Sequence, residues 1–341
     1  MPEGHTIHRL AGVFARCFVG RTVAASSPQG RFAAGAAVLD GLRMAGAEAH
    51  GKHLFLGFEG GEAAVWLRVH LGLYGGWRFA GPGLAGEGGR GAGPARAGGA
   101  APDEAEAGDE AAAGLAAEEP DAAVEARRFV AASGSGEGER AGGGESEGGE
   151  SEAWPPAPRG LVRLRLLAGD RVADLSGPAA CVLETREGRA AARARLGEDP
   201  LRDDADAGAA GRAVRASRSA IGLLLMRQDL VAGVGNIYRA EVLFRAGIDP
   251  HRAGRDVTEA EWGAIWADLR ALMRDGVARG RIVTTRPEHR AAGRRGGAVR
   301  RGEASYVAHR AGQPCRVCGA AVRAEAMAGR TLYWCEACQP E

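Results

Sequence analysis

Lysine, aromatic residues and long apolar runs are scarce in this sequence of 341 residues. Lys52 is the only lysine beside 43 arginines, and aromatic residues make up 5% of the chain. No run of about 18 apolar residues occurs, which excludes a transmembrane helix. The first residues, MPEGH, have neither the basic nor the apolar region of a secretory signal. We therefore expect a cytoplasmic protein without membrane contact.

Charge is unevenly distributed along the chain, although the formal net charge is only +1. Residues 81–158 hold 16 acidic residues and 5 arginines, which leaves 39 basic and 27 acidic residues elsewhere. The remaining chain is therefore basic, as expected for a protein that binds a polyanion. Gly, Ala, Glu and Ser dominate residues 80–158, which predicts a disordered, solvated insertion. The alternative is an acidic segment that mimics DNA and competes for the basic surface.

Hydrophobic periodicity divides the chain into a β-rich first half and a helical second half. Apolar residues three and four positions apart predict a helix over residues 4–18. Aromatic and β-branched residues predict strands at 53–58 and 63–71, with a hairpin turn at 59–62, and alternation predicts strands at 161–167 and 171–175. We expect a linker at 203–211 and helices at 219–229, 236–246 and 258–276. Strands followed by helices indicate separate domains, and the length suggests two or three.

Four of the six cysteines form two Cys-x-x-Cys pairs near the end of the sequence, Cys315/Cys318 and Cys335/Cys338. Two such pairs can complete a tetrahedron of thiolates, and this spacing is typical of a structural zinc site on two short hairpins. We therefore predict one bound Zn²⁺ per chain. Core packing is the default for the isolated Cys17 and Cys181.

A glycine-rich turn, VAGVGN, precedes the predicted helix at 236–246. Gly233 and Gly235 allow close backbone approach, and the free amides at a helix N-terminus bind anions such as a nucleic acid phosphate. The alternative is an ordinary helix cap. Residues 279–301 hold eight arginines and one acidic residue, which adds a surface for phosphates.

The start of the sequence, Met1-Pro2-Glu3, offers a candidate nucleophile. Removal of Met1 would leave Pro2 with a free secondary amine, and α-amino groups have a pKa of about 7.7–8.0. Such an amine can attack a sugar aldehyde carbon to give a Schiff base, with Glu3 moving the proton. The alternative is a proline that merely begins a helix.

Lys52 and the segment HLGLYG, residues 70–75, are further candidates. Lysine can transfer a proton, whereas arginine stays charged, so the one lysine suggests a role in a cleft rather than a chance surface position. Leu73 and Tyr74 follow a predicted strand, where apolar side chains can wedge between bases, and core packing is the alternative.

Taken together, these motifs resemble the formamidopyrimidine-DNA glycosylase/endonuclease VIII family over residues 1–79 and 159–341. The matching segments are MPEGHTIHRL, GKHLFL, HLGLYGGW, RLGEDPL, AGVGNIYRAEVLFRAGIDP and the zinc finger with Gly329-Arg330. The resemblance implies a multidomain α+β fold, with a leading helix and β-sandwich, a helix–two-turn–helix domain and a zinc β-hairpin finger. The expected domains are 1–79 with 159–202, the insertion 80–158, 203–302 and 303–341.

The resemblance also implies a DNA glycosylase with abasic-site lyase activity that acts on damaged DNA as a monomer at the nucleoid. Pro2 then resembles the nucleophile at C1′ of the damaged nucleotide, and Glu3 the acid that opens the sugar. Lys52 resembles a proton donor or phosphate contact. The resemblance places Arg330 in the catalytic set and on DNA phosphates, and it implies DNA contacts for His70, Leu73, Tyr74 and Asn236.

The pattern favours the endonuclease VIII branch, because MPEGHTIHR and the LYG loop are closer to it. Oxidised pyrimidines are then the expected lesions, followed by strand cleavage through β- and δ-elimination. The rival hypotheses are excision of oxidised purines and a DNA-damage-binding protein without catalysis. Two residues depart from the family pattern: Gly72 stands where Gln is common, and Arg227 where Asp is usual.

Overall fold

The structure is a computed structural model that describes residues 2–60, 64–84, 86–87, 154–290 and 299–341. The strands of the first half are β1 Ala24–Ser26, β2 Arg43–His50, β3 His53–Glu59, β4 Val65–His70, β5 Gly76–Ala80, β6 Val162–Ala168, β7 Arg171–Ser176 and β8 Ala180–Glu184. They form two four-stranded antiparallel sheets, in the orders β1-β6-β7-β5 and β2-β3-β4-β8. A final antiparallel hairpin pairs β9 Arg323–Met327 with β10 Arg330–Trp334.

Seven α-helices lie in the described residues: α1 Gly4–Cys17, α2 Ala33–Leu39, α3 Arg186–Ala194, α4 Ala207–Arg215, α5 Ile221–Leu224, α6 Asn236–Ala246 and α7 Glu259–Arg279. The Thr258 hydroxyl oxygen accepts from the Glu261 amide, and the Glu261 carboxylate accepts from the Thr258 amide. This capping box fixes the start of α7. None of the helices in the described ranges combines the length and apolar character of a membrane span.

The first hydrophobic core lies between the two sheets and under α1. Phe14 of α1 meets Trp77 of β5 edge to face, with ring centroids 4.8 Å apart. Leu54, Leu67 and Leu164 from both sheets are fully buried beside them. Because α1 also packs against α7, the helix joins the sandwich to the helical second half.

A second core holds the helical half together, and a third holds the β9–β10 hairpin. Tyr238 of α6 and Met273 of α7 are buried in the second core. The third packs Phe244 of α6 against Tyr306 and Cys335. The Glu241 carboxylate is fully buried and accepts backbone N–H bonds from Tyr306, Val307 and Ala308 at 2.7–2.8 Å, which ties α6 to the chain that leads into the hairpin.

The predicted β-sandwich, helical region and zinc hairpin are confirmed, while several element boundaries differ. The linker predicted at 203–211 is wrong in its second part, because Asp206 caps α4 by accepting from the amides of Gly208 and Ala209. The helix predicted at 219–229 shortens to α5, which is followed by turns. The hairpin turn at 59–62 lies partly outside the described residues, as does the arginine-rich stretch 279–301.

Most of the predicted disordered insertion, residues 88–153, also lies outside the described residues. Its margins are packed, which the composition did not indicate. Leu84 is buried in the first core, and the Trp154 indole N–H donates to the Gly169 carbonyl at 3.2 Å. A Cβ on Gly81 would lie 2.2 Å from the Asp170 carbonyl oxygen. Both margins therefore reach the β6–β7 turn.

Candidate active site and zinc centre

The first residues of the chain are held in the interior of the protein. Pro2 and Glu3 are both buried, and the Gly4 amide donates to the Gly233 carbonyl at 2.8 Å. A Cβ on Gly4 would come within 2.9 Å of the Gly233 Cα, so side chains larger than hydrogen are excluded at this crossing. The start of α1 is therefore fixed against the glycine-rich turn before α6.

The Glu3 carboxylate lies at the N-terminus of α6. Its Oε2 accepts from the Gly235 amide at 2.9 Å and its Oε1 from the Ile237 amide at 2.9 Å, with a longer contact of 3.4 Å from Tyr238. These amides have no partner within the helix, and the helix dipole favours a negative charge there. The anion site expected at this turn is thus filled by a carboxylate of the chain itself.

Burial is the main influence on the Glu3 carboxyl group, which is 2% exposed. Burial raises its pKa above the usual value, and the positive charge of Lys52 together with the three amides opposes that rise only in part. The neighbouring His5 is also buried, and burial lowers its pKa to about 4, so this imidazole is neutral at pH 7. Glu3 is therefore placed to exchange a proton in a nearly water-free site.

Lys52 lies in the tight turn between β2 and β3 and is only 9% exposed. Gly51 has a positive φ of 58°, and its amide donates to Asp199 Oδ2 at 2.7 Å. The chance surface lysine considered from the sequence is therefore excluded. Lys52 is close enough to Glu3 for its charge to lower the carboxyl pKa.

Asp199 joins the two elements that carry Glu3 and Lys52. Its carboxylate is 1% exposed and accepts from His8 Nε2 of α1 at 2.7 Å as well as from the Gly51 amide. The Leu201 amide supplies a third bond at 2.9 Å. Burial alone would raise the pKa of Asp199, but His8 and the amides outweigh it and lower the pKa. The matching segment RLGEDPL thus contributes a positioning carboxylate.

The turn before α6 is braced by Gln228. Its side-chain amide donates to the carbonyls of Met226 and Val234, and its oxygen accepts from the Gly233 amide at 3.0 Å. The unusual Arg227 next to it points away from this network and pairs with Asp229 at 2.5 Å. Arg227 is about half exposed, so its pair lies on the surface.

Asn236 and Arg330, predicted to act together, lie close to each other where α6 meets the β9–β10 hairpin. Asn236 Nδ2 donates to the carbonyl of Thr331, the residue after Arg330, at 2.9 Å. The buried Arg239 guanidinium bonds to the Asn236 oxygen and to the Thr331 carbonyl. Burial, with the charge of Arg330, lowers the pKa of Arg239 to about 10. Arg239 thus links the start of α6 to the β9–β10 hairpin.

The four C-terminal cysteines form one cluster whose Sγ atoms all lie within 4.8 Å of one another. The Cys315–Cys338 and Cys318–Cys335 Sγ distances are 3.8 and 3.4 Å. A zinc tetrahedron with bonds of about 2.3 Å has edges of about 3.8 Å, so the four thiolates fit the ion. They bind one structural zinc, because all four positions are protein ligands. Gln339 fastens this centre to the helical half by donating to the Ile248 carbonyl at 2.8 Å.

The HLGLYG segment forms a tight turn after β4. The Gly75 amide donates to the Leu71 carbonyl at 3.0 Å, Leu73 is half-buried and Tyr74 is 73% exposed. Core packing is therefore excluded for Tyr74. Gly72 has a φ of 64°, and a Cβ there would lie 2.8 Å from the Ala179 Cβ, so this turn does not accommodate the Gln that the family commonly has.

The fold brings four of the predicted residues to the N-terminus of α6. Pro2 and Glu3 directly precede α1, Lys52 lies in the β2–β3 turn, and Asn236 begins α6 itself. His70 lies across the strand pair from His53, with ring centroids 4.9 Å apart, which brings it beside the Lys52 turn. Asp199, Gln228 and Arg239 were missed as individual residues. Asp199 and Arg239 lie within segments that carry the resemblance, whereas Gln228 lies outside them.

Together, the fold and the site define a zinc-finger protein with a buried carboxylate at a helix N-terminus. The comparisons with known proteins agree. Residues 1–131 match the formamidopyrimidine-DNA glycosylase N-terminal domain, residues 196–287 its H2TH domain, and residues 312–340 the zinc finger found in FPG and IleRS. Endonuclease 8 1 of Mycobacterium tuberculosis is 37% identical over 99% of this chain and 100% of its own length.

Further relatives match over part of the chain or by structure. The formamidopyrimidine-DNA glycosylase of Bordetella parapertussis is 40% identical over 43% of this chain and 52% of its own. A solved complex of Lactococcus lactis Fpg with DNA containing an abasic site covers 99% of this chain and 100% of its own, with a TM-score of 0.62 at 18% identity. The chain therefore belongs to the formamidopyrimidine-DNA glycosylase/endonuclease VIII family. It is a base excision repair DNA glycosylase with abasic-site lyase activity.

Proposed function

We propose that this enzyme excises oxidised bases, pyrimidines in preference, through a Schiff base on Pro2 and then cleaves the strand. The observation that carries the proposal is the Glu3 carboxylate, which is buried on the amides of Gly235 and Ile237 with its pKa raised by burial. The residue beside it, Pro2, is equally buried at the start of α1. A nucleophile and a proton carrier thus occupy adjacent positions.

The first step is attack of the Pro2 nitrogen, freed by removal of Met1, on C1′ of the damaged nucleotide. The bond between C1′ and the base breaks, and the base leaves with the proton that the Pro2 nitrogen loses. Glu3 donates a proton to the ring oxygen O4′, the sugar opens, and the nitrogen holds C1′ as an iminium ion. Burial raises the pKa of Glu3 above its usual value, which favours the protonated form that this donation requires.

Strand cleavage follows from the iminium ion as an electron sink. Loss of a proton from C2′ expels the 3′-phosphate, and a second elimination expels the 5′-phosphate. Hydrolysis of the iminium then returns Pro2 as a free amine. We assign Lys52 as the proton donor or phosphate contact of these eliminations, since its charge already acts on Glu3.

DNA binding uses the corner formed by α6 and the zinc hairpin. In the proposal, Asn236 and Arg330 bind the phosphates that flank the lesion, and His70 adds a phosphate contact beside the Lys52 turn. Leu73 and the exposed Tyr74 fill the gap in the stack when the damaged base is extruded. The proposed domain boundaries are 1–79 with 159–202 for the sandwich and 203–302 for the helical domain. In the proposal, DNA lies in the cleft between these two domains.

The preference for pyrimidines rests on likeness to the endonuclease VIII branch and is tested by a panel of lesions. Single-turnover excision is measured on duplexes that carry thymine glycol, 5-hydroxyuracil or 8-oxoguanine at one position. The proposal predicts at least tenfold faster release of the two pyrimidines, with products cut on both sides of the sugar. Faster release of 8-oxoguanine would instead support the purine hypothesis, and binding without release of any base would support a non-catalytic reader.

A further inference from the structure

Arg9 of α1 occupies the carboxyl end of α7. Its guanidinium donates to the carbonyls of Val277 and Ala278 at 3.1 and 3.3 Å. The last carbonyls of a helix have no partner within the helix and carry its negative dipole end, so a cation is favoured there. Gly280 ends α7 with a φ of 68°, and a Cβ at this glycine would lie 3.2 Å from Arg9 Nε.

Glu87, near the start of the acidic insertion, closes over the same guanidinium. Its Oε2 pairs with Arg9 at 2.7 Å, and its Oε1 pairs with Arg16 at 3.2 Å. The Glu87 side chain is only 17% exposed. Leu84, which is 1% exposed, anchors this stretch in the first core, and its carbonyl accepts from the Glu87 amide at 3.1 Å. The insertion therefore begins as a fixed contact on α1.

Arg9 thus connects three parts of the molecule: helix α1, which directly follows Pro2 and Glu3, the last turn of α7 and the beginning of the insertion. The Gly4 amide bonds α1 to the glycine-rich turn before α6, and the His8 side chain bonds α1 to Asp199. Arg9 supplies the contact on the side of α7. Without it, α1 can shift about its axis, and an error of about 1 Å at a reacting group can cost a hundredfold in rate.

We infer that Arg9 and Glu87 form a latch that positions α1 and, with it, Pro2 and Glu3, so that the insertion is coupled to the chemistry through Glu87. This inference rests on the proposed role of Pro2 and Glu3. Arg9 and Glu87 are positioning residues, since neither contacts the reacting atoms. Arg16 is the matched control: it pairs with the same carboxylate, but its side chain is 63% exposed and it makes no described bond to α7.

The test measures the single-turnover rate of borohydride-trapped complex on DNA with one abasic site, over a range of enzyme concentrations. Arg9→Ala is expected to lower the rate at saturation about tenfold and to leave the half-saturating concentration within twofold. Glu87→Ala should lower the rate about threefold, Arg9→Lys should recover most of the loss, and Arg16→Ala should stay within twofold of wild type. All variants are compared at a temperature where circular dichroism shows them fully folded.

The double variant Arg9→Ala/Glu87→Ala should be no slower than Arg9→Ala alone, because the two residues act through one contact. The latch would be overturned if Arg9→Ala and Arg16→Ala reached the same rate at saturation. It would also be overturned if Arg9→Ala changed only the half-saturating enzyme concentration and not the rate at saturation. Pro2→Gly, measured alongside, separates the two ideas. If it traps as fast as wild type, the proposed function fails; if trapping depends on Pro2 while Arg9→Ala is normal, only the latch fails.

Discussion

Replacement of Gly235 by alanine tests the placement of the Glu3 carboxylate. A Cβ at this position would lie 2.4 Å from Glu3 Cδ and 2.5 Å from Cγ. The backbone itself would accept alanine, because φ is −124° and ψ is −167°. The nearest atoms all belong to the Glu3 side chain, which has to move by about 1 Å to restore an ordinary contact of 3.4 Å.

The substitution is expected to lower both the rate and the stability. A displacement of about 1 Å costs about a hundredfold in a positioned reaction. Overpacking of this kind costs about 1–3 kcal/mol of folding free energy. The assay is the single-turnover rate of abasic-site cleavage beside a thermal melt of Gly235→Ala. The control is Gly263→Ala in α7, where a Cβ meets nothing within 4 Å and alanine should stabilise the helix by about 0.5–1 kcal/mol. A Gly235→Ala enzyme within threefold of the wild-type rate would refute the assigned position of Glu3.

Three further predictions concern the supports of the site. Asp199→Asn should destabilise the protein at pH 7 and slow catalysis. Because the pKa of Asp199 is lowered in the folded state, its stabilisation is present above about pH 4 and is lost as pH falls through the folded pKa. The difference in unfolding free energy between mutant and wild type, measured by urea melts, should therefore shrink below about pH 4, and a constant difference would count against the prediction. Cys318→Ser should release zinc and weaken DNA binding at least tenfold, measured by metal analysis and fluorescence anisotropy; full retention of metal would contradict the four-thiolate site. Replacement of residues 88–153 by a short Gly/Ser linker should change the melting temperature by less than about 3 °C, since Leu84 and Trp154 are kept. A deletion that also removes Leu84 should lower the free energy of unfolding by about 2–3 kcal/mol. Equal melting temperatures of the two deletion variants would contradict the packing of Leu84 in the core.

Local signals in the sequence were enough to predict the elements that carry the chemistry. The spacing of Cys315, Cys318, Cys335 and Cys338 indicates the zinc site directly, since neighbouring thiols define each half of the tetrahedron. Helix α6 begins and ends where the pattern predicted. The glycine-rich turn precedes its first residue, and Gly247, in the left-handed region, terminates the helix. The scarcity of lysine singled out Lys52, and the structure places that residue in the buried turn beside Glu3.

Contacts between distant segments were beyond the sequence. Glu3 binds amides that lie more than 230 residues further along the chain, and no local pattern reveals that pairing. Asp199 looks like any loop aspartate until the fold brings His8 and Gly51 to it. Leu84 and Glu87 are hidden by the composition around them, because one apolar residue in a glycine-rich stretch does not predict burial. Helix α4 was missed because its Asp206 cap and its alanines resemble a linker in composition.

The central claim is that Pro2 attacks the sugar and that Glu3 moves the proton. The most direct measurement is borohydride trapping on an oligonucleotide with one abasic site, with wild type, Pro2→Gly and Glu3→Gln, after mass spectrometry has shown that Met1 is absent. The account predicts a covalent complex whose modified peptide begins at Pro2, a loss of at least a hundredfold in Pro2→Gly, and slow trapping in Glu3→Gln. A complex of undiminished yield in Pro2→Gly, or none from wild type that lacks Met1 and binds the DNA, would contradict it.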